Sequence, residues 1–121
     1  LQVCSTVNVF NVMYLEGLAN WIDQQDFDFV YWNMLHEAYY HSVGTLPDTA
    51  KQLAIDRLQS ANVSLLHKHE FDRIIDFIRN GNSLDGDELR SKINTVDQRR
   101  EQNLCDHHAE LANAIDYRGP R

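Results

Sequence analysis

Four polar side chains stand at or just past the ends of two apolar, β-favouring runs: Asn8 and Asn11 at the first, Asn33 and His36 at the second. Thr6 lies inside the first run, and strict alternation puts it on the same strand face as Asn8. A polar group within an apolar strand costs free energy unless something pairs with it. In parallel α/β sheets the loops after the strands form an open rim, and ligands bind there. Thr6, Asn8 and Asn33 are therefore candidates to line a ligand cavity. His36 is a candidate to hydrogen-bond a substrate from the loop that follows. The plainer account makes Asn11 a helix cap and lets the others satisfy nearby loops.

Two further constellations bear on chemistry. Cys105 and His108 are three apart, so on a helix both could reach one ion, while His67 and His69, two apart, point to different helix faces. A closed zinc site needs two more ligands, so the expectation is no metal, with solvated or capping histidines instead. Asp97-Gln-Arg-Arg-Glu101 is a charge run. It reads as a solvated helix face, or else as an ion-pair network docking the tail helices on another domain. No glycine-rich phosphate loop and no Ser-His-Asp or Cys-His spacing stands out.

The elements that must position these residues follow from apolar spacing. Leu1, Val3, Val7 and Val9 alternate, which predicts a strand over residues 1–9. Leu15, Leu18, Ala19 and Ile22 fall on one helix face within 12–24. Residues 27–35 are aromatic and β-branched on both parities, as in a strand buried on both faces of a parallel sheet. Strand, helix, strand makes a β-α-β unit with parallel strands. Residues 36–46 read as a loop, and Pro47 suits a first helical position. Helical stripes then recur: Ala50, Leu53, Ala54 and Leu58; Phe71, Ile74, Ile75 and Ile78; Leu89, Ile93 and Val96; and Leu104, His108, Leu111, Ala112 and Ile115. The last two leave open whether they are one helix or two. Residues 80–86 are a turn-rich loop, and the tail from Tyr117 is expected to fray. The division is 1–46 for the β-α-β part and 47–121 for a helical extension.

Length and composition bound what remains. The chain has 121 residues, the size of one domain, with a formal net charge of −7. That balance argues against a nucleic-acid surface and against a polybasic membrane patch. Its apolar runs are well short of a membrane span. Two cysteines, Cys4 and Cys105, make no disulfide framework and point to reduced thiols in a cytoplasmic protein. The chain opens inside the β-favouring run Leu1–Phe10, and two strands make a poor sheet, so a missing N-terminal part of the same polypeptide is the expected partner. Uncovered apolar faces predict that the piece alone is unstable or self-associating.

Cys4-Ser-Thr-Val-Asn-Val-Phe-Asn-Val-Met-Tyr-Leu-Glu-Gly-Leu18 resembles a late strand-helix unit of radical S-adenosylmethionine (SAM) enzymes. Tyr31-Trp-Asn-Met-Leu-His36, then Leu46-Pro47, resembles the last barrel strand and exit loop of the twitch-type members. Asp97-Gln-Arg-Arg100 with Glu110-Leu111 resembles their closing helical segment, although Ala109 stands where a proline is expected. In order and spacing the resemblance covers essentially the whole chain. It implies an α/β fold, the β-α-β end of a partial (β/α)6 barrel followed by a helical C-terminal extension. It also implies a parent enzyme with a [4Fe-4S] cluster on a Cys-x3-Cys-x2-Cys loop, which cleaves SAM to a radical and modifies an unknown substrate. This chain has no such triad, so the fragment alone is expected to be inactive. Thr6, Asn8 and Asn33 would face SAM or the substrate, and His36 the substrate.

Two other readings stand beside it. One is a non-catalytic α/β interaction module with a helical arm. The other is a piece of a doubly wound domain, which leaves the long helical stretch after residue 46 unexplained.

Overall fold

The computed structural model describes residues 1–35, 42–83 and 86–120. Strand β1 (Gln2–Val7) leads through a 3-10 turn (Val12–Tyr14) into helix α1 (Leu15–Asp23), and strand β2 (Phe29–Met34) follows. The strands pair in parallel, Thr6 beside Asn33 and Cys4 beside Tyr31, so the β-α-β unit is present. A second 3-10 turn (Val43–Thr45) precedes α2 (Asp48–Ser60), α3 (Leu65–Asn80), α4 (Gly86–Arg100), α5 (Leu104–His107) and α6 (Ala109–Ala114).

The partial (β/α)6 barrel is not what forms. Among the described residues there is one sheet of two strands, and everything after β2 is helix or turn. The physical reason lies in the periodicity after residue 46. Every apolar stripe there repeats at three and four residues, so it feeds helices that pack on the β-α-β unit and adds no strand. The arrangement is a small helix-rich α/β fold.

Nor is β2 buried on both faces. One face of the sheet carries Val7 and Trp32 into the core, with Val3, Val30 and Met34 partly buried beside them. Trp32 is 2% exposed and meets Phe71 of α3 edge-on, ring centroids 5.8 Å apart. The other face carries Gln2, Cys4 and Thr6 from β1 and Phe29, Tyr31 and Asn33 from β2, all exposed. Phe29 and Tyr31 are 54% and 48% exposed and lie nearly parallel, 6.4 Å between centroids. An aromatic run satisfies the pattern of a buried strand whether or not anything covers its second face.

A single apolar core runs from Val7 and Val9 through α1, α2 and α3 to Leu111, Ile115 and Tyr117. Loop and helix meet most tightly at Gly44 and Gly81. A Cβ on Gly81 would overlap the backbone of Gly44, and one on Gly44 would stand 3.1 Å from the Gly81 Cα. The buried Lys51 fastens this contact by donating to the Gly81 carbonyl at 2.8 Å. Loss of water lowers the Lys51 pKa, and nearby Asp48 pulls it partly back up. Gly81→Ala is expected to cost about 1–3 kcal/mol by overpacking. Urea denaturation checks this, and an unchanged midpoint would show that the loop yields freely.

Helices α4 and α5 are separate. Glu101 takes a left-handed φ of 53°, and the Gln102 N–H donates back to the Asp97 carbonyl at 3.0 Å, closing α4. Asn103 then caps α5, its side-chain oxygen accepting from the Cys105 N–H at 3.0 Å.

Candidate functional site

Thr6 and Asn33 are brought together. They are register partners in the last stretch of the two strands and share the exposed face. Neighbouring strands lie about 4.8 Å apart, so one ligand can touch both side chains. Cys4 and Tyr31 form the next rung on the same face. Sequence reasoning passed over these two, although the alternation that selects Thr6 also selects Cys4. Together the rungs present a hydroxyl, an amide, a thiol and a phenol on a flat sheet surface. Such a surface can hydrogen-bond and stack.

Asn8 does something else. Its side-chain oxygen accepts from the backbone N–H of Phe10 at 2.9 Å and of Asn11 at 3.2 Å, an Asx turn. Asn11 answers by accepting from the Asn8 N–H at 2.9 Å and donating to the Thr6 carbonyl at 2.8 Å. The two asparagines therefore shape the turn that carries the chain off β1. Asn11 makes no side-chain cap of the helix it precedes. His36 lies outside the described residues.

The histidines and Cys105 do not converge. His67, fully buried on α3, accepts from the Trp32 indole N–H at 3.3 Å through Nδ1, and its Nε2 lies 2.9 Å from the Asp23 carboxylate. An indole nitrogen only donates, which fixes the hydrogen on Nε2 and makes Asp23 its acceptor. His67 thus ties α1, β2 and α3 together. His69 is exposed. The Cys105 thiol points to the Tyr117 carbonyl at 3.5 Å, and His108 packs on the Tyr14 ring at 5.4 Å. Among the described residues no three His, Cys, Asp or Glu side chains are placed to share a metal ion. With two cysteines in the whole chain, its residues do not fit a [4Fe-4S] cluster.

The charge run divides. Arg99 and Arg100 are exposed, but Asp97 is 7% exposed and its carboxylate accepts from the Leu104 N–H at 2.9 Å and the Tyr117 hydroxyl at 2.7 Å. The tail therefore does not fray through Gly119. It docks on α4 of the same chain, with Tyr117 4% exposed. Glu110 of α6 also pairs with Arg57 of α2.

Burial, with the Asp97 carboxylate accepting its hydrogen, pushes the Tyr117 hydroxyl well above its ordinary pKa. The fold keeps a proton that the unfolded chain releases above about pH 10. This contribution to stability is fully present below that pH and is lost as pH rises beyond it. The slope of unfolding free energy against pH from about 9 to 11 should flatten in Tyr117→Phe. Equal slopes in the two proteins would contradict the buried, protonated hydroxyl.

No helix among the described residues is long and apolar enough to cross a membrane. Set against known protein families, curated proteins and solved structures, the chain finds no match.

Proposed function

We propose that this chain is the C-terminal portion of a cytoplasmic radical SAM enzyme, and that the open face of β1 and β2 is its contribution to the cavity for SAM or the substrate. The observation that carries the reading is the Thr6–Asn33 pair. Two polar side chains stand in register at the C-terminal ends of parallel strands, on the face that this chain's helices leave uncovered. A hydroxyl and an amide offer donors and acceptors for a ribose or an amino-acid carboxylate, and Tyr31 offers a ring for stacking. The residue runs quoted for the family resemblance supply the choice of chemistry. A [4Fe-4S] cluster would have to be held by residues outside this chain and would supply the electron for SAM cleavage. This chain's residues would bind and orient the ligand.

The test uses the protein encoded by the complete reading frame, reconstituted anaerobically with iron and sulfide and given SAM and dithionite. Release of 5′-deoxyadenosine and methionine is the expected result. A folded, full-length protein that binds no cluster and releases neither would overturn the reading. The exposed Phe29–Tyr31 stack favours a second reading, a non-catalytic module that docks a partner protein on this sheet face. The same assay separates the two.

A further inference from the structure

Helices α4 and α5, with Phe10, line an open cleft of about 320 Å³ that shares no residue with the Thr6–Asn33 pair. Its floor is apolar, with Ile93 and Leu104 buried and Phe10 half-buried, and the exposed Val96 borders it. Its rim is basic. Lys92 and Arg100 come from α4, and His107 and His108 follow at the end of α5. The one carboxylate in the lining, Asp97, is turned to Leu104 and Tyr117 and accepts from both. In a chain of net charge −7 this is a local inversion of sign. Such an inversion beside an apolar floor selects a ligand with a negative end and a flat, poorly hydrated body.

We propose that this cleft binds a small aromatic anion of the nucleoside monophosphate class. The phosphate meets Arg100, whose planar guanidinium can hold two of its oxygens at once. The ring lies on the floor between Phe10 and Ile93, within reach of the His108 imidazole. The volume suits such a ligand, since small-molecule sites begin at about 300 Å³. Neither motif reading of the sequence reaches this site. Arg100 reads as part of a solvated run and His108 as a possible partner of Cys105, and the break at Glu101 separates α5 from α4 so that both residues line one space.

Isothermal titration of the intact protein at low salt with adenosine 5′-monophosphate, adenosine and inorganic phosphate tests the proposal. The monophosphate should saturate with a submillimolar Kd, with adenosine and phosphate each weaker by about tenfold or more. Arg100→Gln should weaken it by about tenfold, and Val96→Glu, which sets a carboxylate at the cleft, should abolish it. Arg79→Gln removes an exposed charge from α3, outside the cleft, and should change nothing. Circular dichroism of each variant confirms that it is folded. No saturation by the monophosphate, equal affinity for adenosine, equal affinity for phosphate, or equal losses in Arg79→Gln and Arg100→Gln would each overturn the proposal.

Discussion

Trp32→Ala should cost about 3–5 kcal/mol, the range for deleting a large buried aromatic side chain. Trp32 is the largest side chain of the fully buried set, and it is where the sheet meets the helices. It crosses Phe71 edge-on and donates its indole hydrogen to His67. The substitution leaves a cavity between β2 and α3, and it strands Nδ1 of a fully buried imidazole without a donor. For a chain of this length the loss corresponds to a fall in Tm of about 12–20 °C. Calorimetry or thermal circular dichroism reads it directly. A fall of a few degrees would mean that β2 is not anchored through α3, and that the sheet is held by β1 and α1 alone. His67→Leu distinguishes the two contributions, because it keeps much of the volume and removes only the polar bridge to Trp32 and Asp23.

Asp97→Ala should cost about 2–4 kcal/mol, because it leaves two buried donors, the Leu104 N–H and the Tyr117 hydroxyl, without their acceptor. The loss should be local before it is global. Asp97 joins α4 to α5 and to the tail, whereas the sheet and α3 are held by Trp32, His67 and Phe71. Amide hydrogen exchange should therefore quicken over residues 104–117 in the variant, with β2 and α3 still protected. Tyr117→Phe, which removes one of the two bonds, should cost about 1 kcal/mol. Uniformly faster exchange along the chain would show that the tail is part of the main cooperative unit.

These two anchors show what the sequence conceals and what it reveals. Strands β1 and β2, helix α1 between them and the stripes of α2, α3 and α4 are all visible as apolar spacing, because each element's buried face is a local property. Long-range polar pairing is not local. Asp97 sits among arginines and glutamate and looks solvated, and its partner Tyr117 is twenty residues away. His67 looks like a stray histidine beside Lys68, while its partners stand on β2 and α1. The barrel failed as an expectation because the aromatic density of 27–35 marks a strand without saying how many sheet neighbours it has. Asn8, also a cavity candidate, has its side chain engaged in a turn. A polar residue after a strand is equally suited to a turn, and the spacing Asn8-x-x-Asn11 is what an Asx turn with a returning amide requires. That Thr6 and Asn33 share a face follows from alternation and parallel register together.

The proposed reading as part of an enzyme rests on that face, so the most direct measurement is SAM binding by the intact protein, reconstituted with iron and sulfide, carrying Thr6→Val and Asn33→Leu together. Both residues are exposed, so the fold and the melting temperature should hold. SAM affinity or turnover should fall by about tenfold or more, since the proposed site would lose the two side chains that hydrogen-bond the ligand. A double variant that binds SAM and forms product as the parent does would show that the open face of β1 and β2 serves something other than this chemistry.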